Sequence, residues 1–143
     1  MFVFRNVFVL LALTLAGITQ ASAEQKATLG DWDVHYMVVN TSFLTPEVAS
    51  RYGLVRSKYN ALVNISVLDT ETQKAQRLGV SGEAKNLLGT TRKLSFKKVE
   101  DGDAIYYLAV LPFRDQETFR FNIDLQLGNE QQTLKFRQKL YTD

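Results

Sequence analysis

The 143-residue sequence contains no cysteine, one histidine, two methionines and two prolines. Without cysteine there is no disulfide, no thiol nucleophile and no thiolate metal ligand. A single histidine, His35, rules out a multi-histidine zinc site as well. A phosphate-cradling glycine loop is missing, because Gly79, Gly82 and Gly89 are too scattered to make one. Charge of one sign is also scarce: 17 Lys+Arg stand against 15 Asp+Glu, a formal net charge of +2. That balance gives no electrostatic case for nucleic-acid binding. Basic tails, Pro-rich linkers, low-complexity tracts and internal repeats are absent too.

What is present begins with a leader. Arg5 is the only charge before Glu24, and it precedes the apolar run Val7 to Gly17 and the small-residue triplet Ala21-Ser22-Ala23. This is the pattern of a secretory signal peptide cut after Ala23, and the run is too short for a comfortable membrane span. Residues 1–23 are therefore expected to be removed, leaving residues 24–143 as one exported domain. Removing Arg5 leaves 16 Lys+Arg against 15 Asp+Glu. A domain of this size buries about two-thirds of its unfolded surface and needs no covalent staple.

From Trp32 the residues alternate, with Trp32, Val34, Tyr36 and Val38 on one face and Asp33, His35, Met37 and Val39 on the other. A period of two is a strand with one buried face, which points Asp33 and His35 to solvent. A second strand covers Ala61 to Leu68, and a weaker one Ala75 to Val80. Further strands are expected over Thr91 to Val99, Ala104 to Leu111, Phe119 to Leu127 and Gln132 to Tyr141. Asp101-Gly102 and Gly128-Asn129 mark hairpin turns. Between the first two strands, Thr45-Pro46-Glu47 has helix-start chemistry and Gly53 can end a helix, so Pro46 to Tyr52 is read as one short helix. The count gives an all-β, seven-stranded antiparallel sandwich of immunoglobulin-like or fibronectin-like type, with a small closed barrel as the alternative.

Three places could carry chemistry. Asp33-x-His35 could orient an imidazole, and His35-x-Met37 could offer soft donors to copper, but nothing nearby completes either constellation. The row Lys135, Arg137 and Lys139 recurs every second residue on the last strand; it suits an anionic envelope polymer, or simply a solvated edge. The third place is the nineteen-residue connection Asn40 to Lys58. Connections this long are uncommon in compact domains unless functional or disordered, and a capped helix argues for order. It sets Phe43, Leu44 and Tyr52 beside Arg51, Arg56 and Lys58, the composition of a recognition surface or of a lid over an open end of the sandwich.

The run GDWDVHYMVVNTSFLTPEVASRYGLVRSKYNALVNISVL, from Gly30 to Leu68, resembles the opening motif of a family of short exported Gram-negative proteins, domain of unknown function 4426. The resemblance implies an exported single-domain sandwich with no assigned activity. It marks His35, Tyr36, Asn40, Phe43, Leu44, Pro46, Tyr52, Gly53, Arg56, Ser57 and Asn64 as motif positions.

The expectation is thus a non-enzymatic periplasmic binding or accessory module that contacts an envelope protein through the Asn40 to Lys58 connection. The alternative is a binder of a small anionic or glycan ligand. Candidate binding residues are His35, Tyr36, Asn40, Phe43, Arg56, Ser57, Lys58 and Asn64. No catalytic residue, metal ligand or cofactor is expected. Nor is a nucleic-acid partner, or stable insertion in a membrane once the leader is gone.

Overall fold

The alternating runs become strands in the structure, a computed structural model that describes residues 24–142. The expected signal peptide of residues 1–23, with its cleavage point, lies outside the described residues. In chain order the strands are β1 (Gln25–Leu29), β2 (Trp32–Asn40), β3 (Asn60–Asp69), β4 (Gly79–Asn86), β5 (Thr91–Leu94), β6 (Lys97–Asp101), β7 (Ala104–Pro112), β8 (Glu117–Leu127) and β9 (Glu130–Leu140). The order β1-β2-β3-β7-β6 makes a five-stranded sheet and β5-β4-β8-β9 a four-stranded one. Every pairing is antiparallel. The fold is the expected all-β sandwich, with nine strands among the described residues instead of seven.

Two places account for the difference. β1, Gln25–Leu29, lies ahead of the first expected strand and pairs along its length with β2, from Gln25 opposite Tyr36 to Leu29 opposite Trp32. Gly30, at φ 59°, closes that turn, and Ala27 and Leu29 pack on the core. The run from Thr91, expected as one strand, breaks after Leu94: β5 stays beside β4, while β6 crosses to β7 in the other sheet. Phe96, in the link, packs on the shared core, which is what the crossing accomplishes. A third expectation also shifts. Of Ala75 to Val80 only Ala75 makes an early bridge, to Leu68, and β4 starts at Gly79 and runs past the expected end at Val80 to Asn86.

Alternation places the core. Trp32, Val34 and Val38 of β2, Ala61, Val63, Ile65 and Val67 of β3, and Phe119, Phe121, Ile123 and Leu125 of β8 are all buried between the sheets. Each large side chain among them stabilises the fold by roughly 1.5–3 kcal/mol relative to leaving it in water. Phe136 joins the sheets: it stacks on Phe121 with ring centroids 4.5 Å apart and meets Tyr36 across the sandwich at 4.5 Å. Gly82, inside β4, is explained by close approach, since a Cβ there would lie 2.7 Å from the Asn122 carbonyl oxygen on β8.

Candidate functional site

The connection between β2 and β3 is built by short-range chemistry. Asn40 ends β2 and donates from Nδ2 to the Tyr141 carbonyl at 2.7 Å. A 3-10 turn, Thr41–Phe43, follows. Thr45 then accepts the Val48 amide on its side chain at 3.2 Å and Pro46 takes the first position of α1 (Pro46–Arg51), so the expected helix forms for the expected reasons. Gly53, at φ 68°, turns the chain out of it.

The two ends of the connection are clamped together. The fully buried Thr41 hydroxyl donates to the Ser57 carbonyl at 3.0 Å and accepts the Ser57 amide at 2.8 Å. Arg56 Nη2 donates to the Ser42 carbonyl at 3.2 Å. Tyr52 donates its hydroxyl proton to Asp101 Oδ2 at 3.2 Å, tying the connection to the β6–β7 hairpin.

Below the clamp, Leu44, Tyr52 and Leu54 pack on Val39, Leu62 and Leu108, with Met37, Val99 and Tyr106 around them. These residues lie on the outer face of the five-stranded sheet, so the connection makes a third layer there. It packs on part of that sheet face, which is also why Leu62 of β3 is buried on the side away from the sandwich core. Phe43, grouped by its sequence with the packed Leu44 and Tyr52, instead stands 60% exposed, with Val55 at 75% and Tyr59 at 56%. Phe43 and Val55 each adjoin one partner of the Ser42–Arg56 hydrogen bond, and Lys58 Nζ lies 5.4 Å from the Tyr59 ring centroid. The connection thus carries a ridge with exposed apolar tips and cationic flanks.

The candidate binding residues do not all converge. Tyr36 points into the sandwich, packed at a tilt against Phe136, with its hydroxyl donating to Gln25 at 3.0 Å. His35, on the opposite face of β2, is half-buried and holds Nδ1 3.3 Å from Glu24 Oε1. Asn40 and Ser57 are engaged in the bonds that shape the connection. Tyr36 and Asn64 therefore lie on opposite faces of one sheet, so the set Arg56, Lys58, Tyr36, Asn40 and Asn64 is not brought together on one face. Phe43, Arg56 and Lys58 do share the ridge.

Asp33, expected to face solvent, is buried. Its Oδ1 accepts Thr28 and its Oδ2 accepts Gln73, both at 2.9 Å. Those two hydrogen bonds, led by Gln73, hold its carboxyl below the ordinary value, against a smaller opposing effect of burial. With both oxygens so engaged, the carboxylate is not oriented on His35. Among the described residues no group of three or more His, Cys, Asp or Glu is placed to hold a metal ion. Asn64 stands opposite Met37 and Leu108, and its Oδ1 is buried with no hydrogen-bond partner among the described residues.

Two features of the surface were beyond a linear reading. Val55 directly follows Leu54, and no periodicity says which of the two packs on the sheet and which stands exposed. The row Lys135, Arg137 and Lys139 is visible in sequence, but its cross-strand companions Lys85 and Arg120 need the register of β4, β8 and β9.

Comparison with known proteins agrees with this architecture. A family model described as a domain of unknown function, DUF4426, matches residues 26–143. A crystal structure of a DUF4426 family protein from Pseudomonas aeruginosa PAO1 is 40% identical, with a TM-score of 0.74, covering 84% of this chain and 96% of that one. Two structures of FetP from uropathogenic Escherichia coli strain F11 share the fold at 12% identity. One, as isolated after recombinant expression in the E. coli periplasm, has a TM-score of 0.60 and covers 87% of this chain and 98% of its own. The other, a copper-bound single-substitution variant, has a TM-score of 0.57 with coverage of 82% and 90%. No curated protein matches the chain. From the family match over nearly the whole described domain, and the 40% identical structure, the chain belongs to the DUF4426 family.

Proposed function

We propose that the protein is a non-enzymatic binding or accessory module of the periplasm, which engages an envelope protein through the ridge carried by the Asn40 to Lys58 connection. The observation that supports this most is the division of labour along one short segment. Leu44, Tyr52 and Leu54 anchor it, while Phe43, Val55 and Tyr59 are held outward. Exposed aromatic tips flanked by arginine are the composition of interface anchors. Because the clamp at Thr41 and Ser57 fixes the backbone before any partner arrives, little ordering entropy opposes binding. Arg51, Arg56 and Lys58 around the tips suit a partner with an apolar spot rimmed by carboxylates.

Export follows from the leader read in the sequence, and mass spectrometry of the protein from cells should give a mature N-terminus at Glu24. For the partner, a photo-crosslinking residue at Phe43 or Val55 in intact cells is expected to yield one adduct of defined mass. The same residue at Asp103, in the exposed β6–β7 turn, should give none. Equal, diffuse labelling from all three positions would contradict the proposal.

A further inference from the structure

On the far side of the sandwich from the ridge, the outer face of the four-stranded sheet carries a feature the proposed function does not use. Lys85, Arg120 and Arg137 stand directly opposite one another on β4, β8 and β9. Like charges in cross-strand register repel and cost the sheet stability. None of the three is in an ion pair among the described residues. Lys93, Lys135 and Lys139 share the face, with only Glu83 and Asp124 of opposite sign, and Asp124 already accepts the Thr133 hydroxyl at 2.9 Å. An open groove of about 420 Å³ runs between Lys85, Arg120, Lys135 and Arg137. A domain that is nearly neutral as a whole has concentrated its cations here.

An independent feature adjoins this face. Leu87 and Leu88, which follow Lys85 by two and three residues, are 60% and 92% exposed. They are held outward by an ordered turn. The Asn86 side-chain oxygen accepts the amides of Leu88 at 3.1 Å and Thr90 at 2.8 Å, while its Nδ2 donates to Glu117 Oε2 at 2.8 Å. Arg92 and Arg114 line the same surface hollow as the two leucines. Its acids are otherwise committed: Glu117 Oε1 accepts the Arg114 amide and Asp115 Oδ1 the Thr142 amide.

We infer that the cationic outer face of the four-stranded sheet and the Leu87–Leu88 turn together dock the domain, reversibly and without insertion of a span, on an anionic phospholipid bilayer. A soluble polyanion would need the cations alone. A bilayer surface offers both phosphate charge and an apolar layer a few ångströms below it, and a basic face with a protruding leucine pair matches the two. Docked in this way, the domain would present its opposite outer face, with the Phe43, Val55 and Tyr59 ridge, away from the lipid. The inference does not depend on the ridge having a partner.

Co-sedimentation of the folded domain, residues 24–143, with vesicles tests it. Binding is expected to phosphatidylcholine vesicles containing phosphatidylglycerol, to be weak to phosphatidylcholine alone, and to fall as salt screens the charges. The double variant Lys85→Gln, Arg137→Gln is expected to bind on the order of thirtyfold more weakly. Leu87→Ser with Leu88→Ser should weaken binding at least about tenfold, with an unchanged melting temperature showing that the fold is intact. Absence of binding to the anionic vesicles at low salt would overturn the inference. So would binding that ignores the leucine substitutions, which would mark the face as a site for soluble polyanions.

Discussion

Asn64 and Asp33 show how one sheet face can hold polar groups on opposite terms. The Asn64 Oδ1 is buried without a partner beside the apolar cluster of Val39, Leu62 and Leu108, and an unmet acceptor costs stability. Asn64→Leu is therefore expected to raise stability by about 1 kcal/mol in a denaturant titration; a loss of that size would show that the oxygen is satisfied in solution. Asp33 is the satisfied case. Its folded-state pKa lies below the ordinary value, so its contribution is complete above about pH 4 and is lost as pH falls through the lowered value. The melting temperature of the wild type should exceed that of Asp33→Asn at pH 6, and the gap should close toward pH 2.5. A gap constant with pH would mean that the carboxylate charge plays no part. Neither arrangement was legible in sequence: alternation put Asp33 on a solvent face, whereas Thr28 from the unexpected β1 and Gln73 from a distant turn cover it.

The elements that were legible are those whose signal is local. The helix start at Thr45-Pro46 and the turns at Gly102 and Gly128 form where their residues place them. The inward row Phe119, Phe121, Ile123 and Leu125 does so as well. Where the deciding contact is remote, local pattern failed. Alternation continues through Leu94 and Phe96, yet the strands on either side belong to different sheets, because no local signal records which neighbour a strand will find. Gly82 is of the same kind. It lies past the expected strand end at Val80, yet it stands inside β4, where β8 approaches too closely for a side chain. Gly82→Ala should cost about 1–3 kcal/mol, by forcing the two backbones apart. An unchanged unfolding midpoint would contradict that geometry.

For the whole molecule, the two outer faces are finished differently. The outer face of the five-stranded sheet is partly covered by its own β2–β3 connection, and that of the four-stranded sheet is left open and basic. The candidate site follows the same rule of legibility. Its composition was visible in the Asn40 to Lys58 segment, and its inside and outside were not, because Leu44 and Phe43 differ only in which of two adjacent side chains meets the sheet. The account depends on that connection being a fixed layer of the fold. Amide hydrogen exchange followed residue by residue tests this most directly. The amides of Ala49, Tyr52, Leu54 and Ser57, all hydrogen-bonded within the connection, are expected to be protected well above unstructured rates. Exchange of those four at the rate of an unstructured peptide, while β3 stays protected, would show the connection to be loose and would contradict the account.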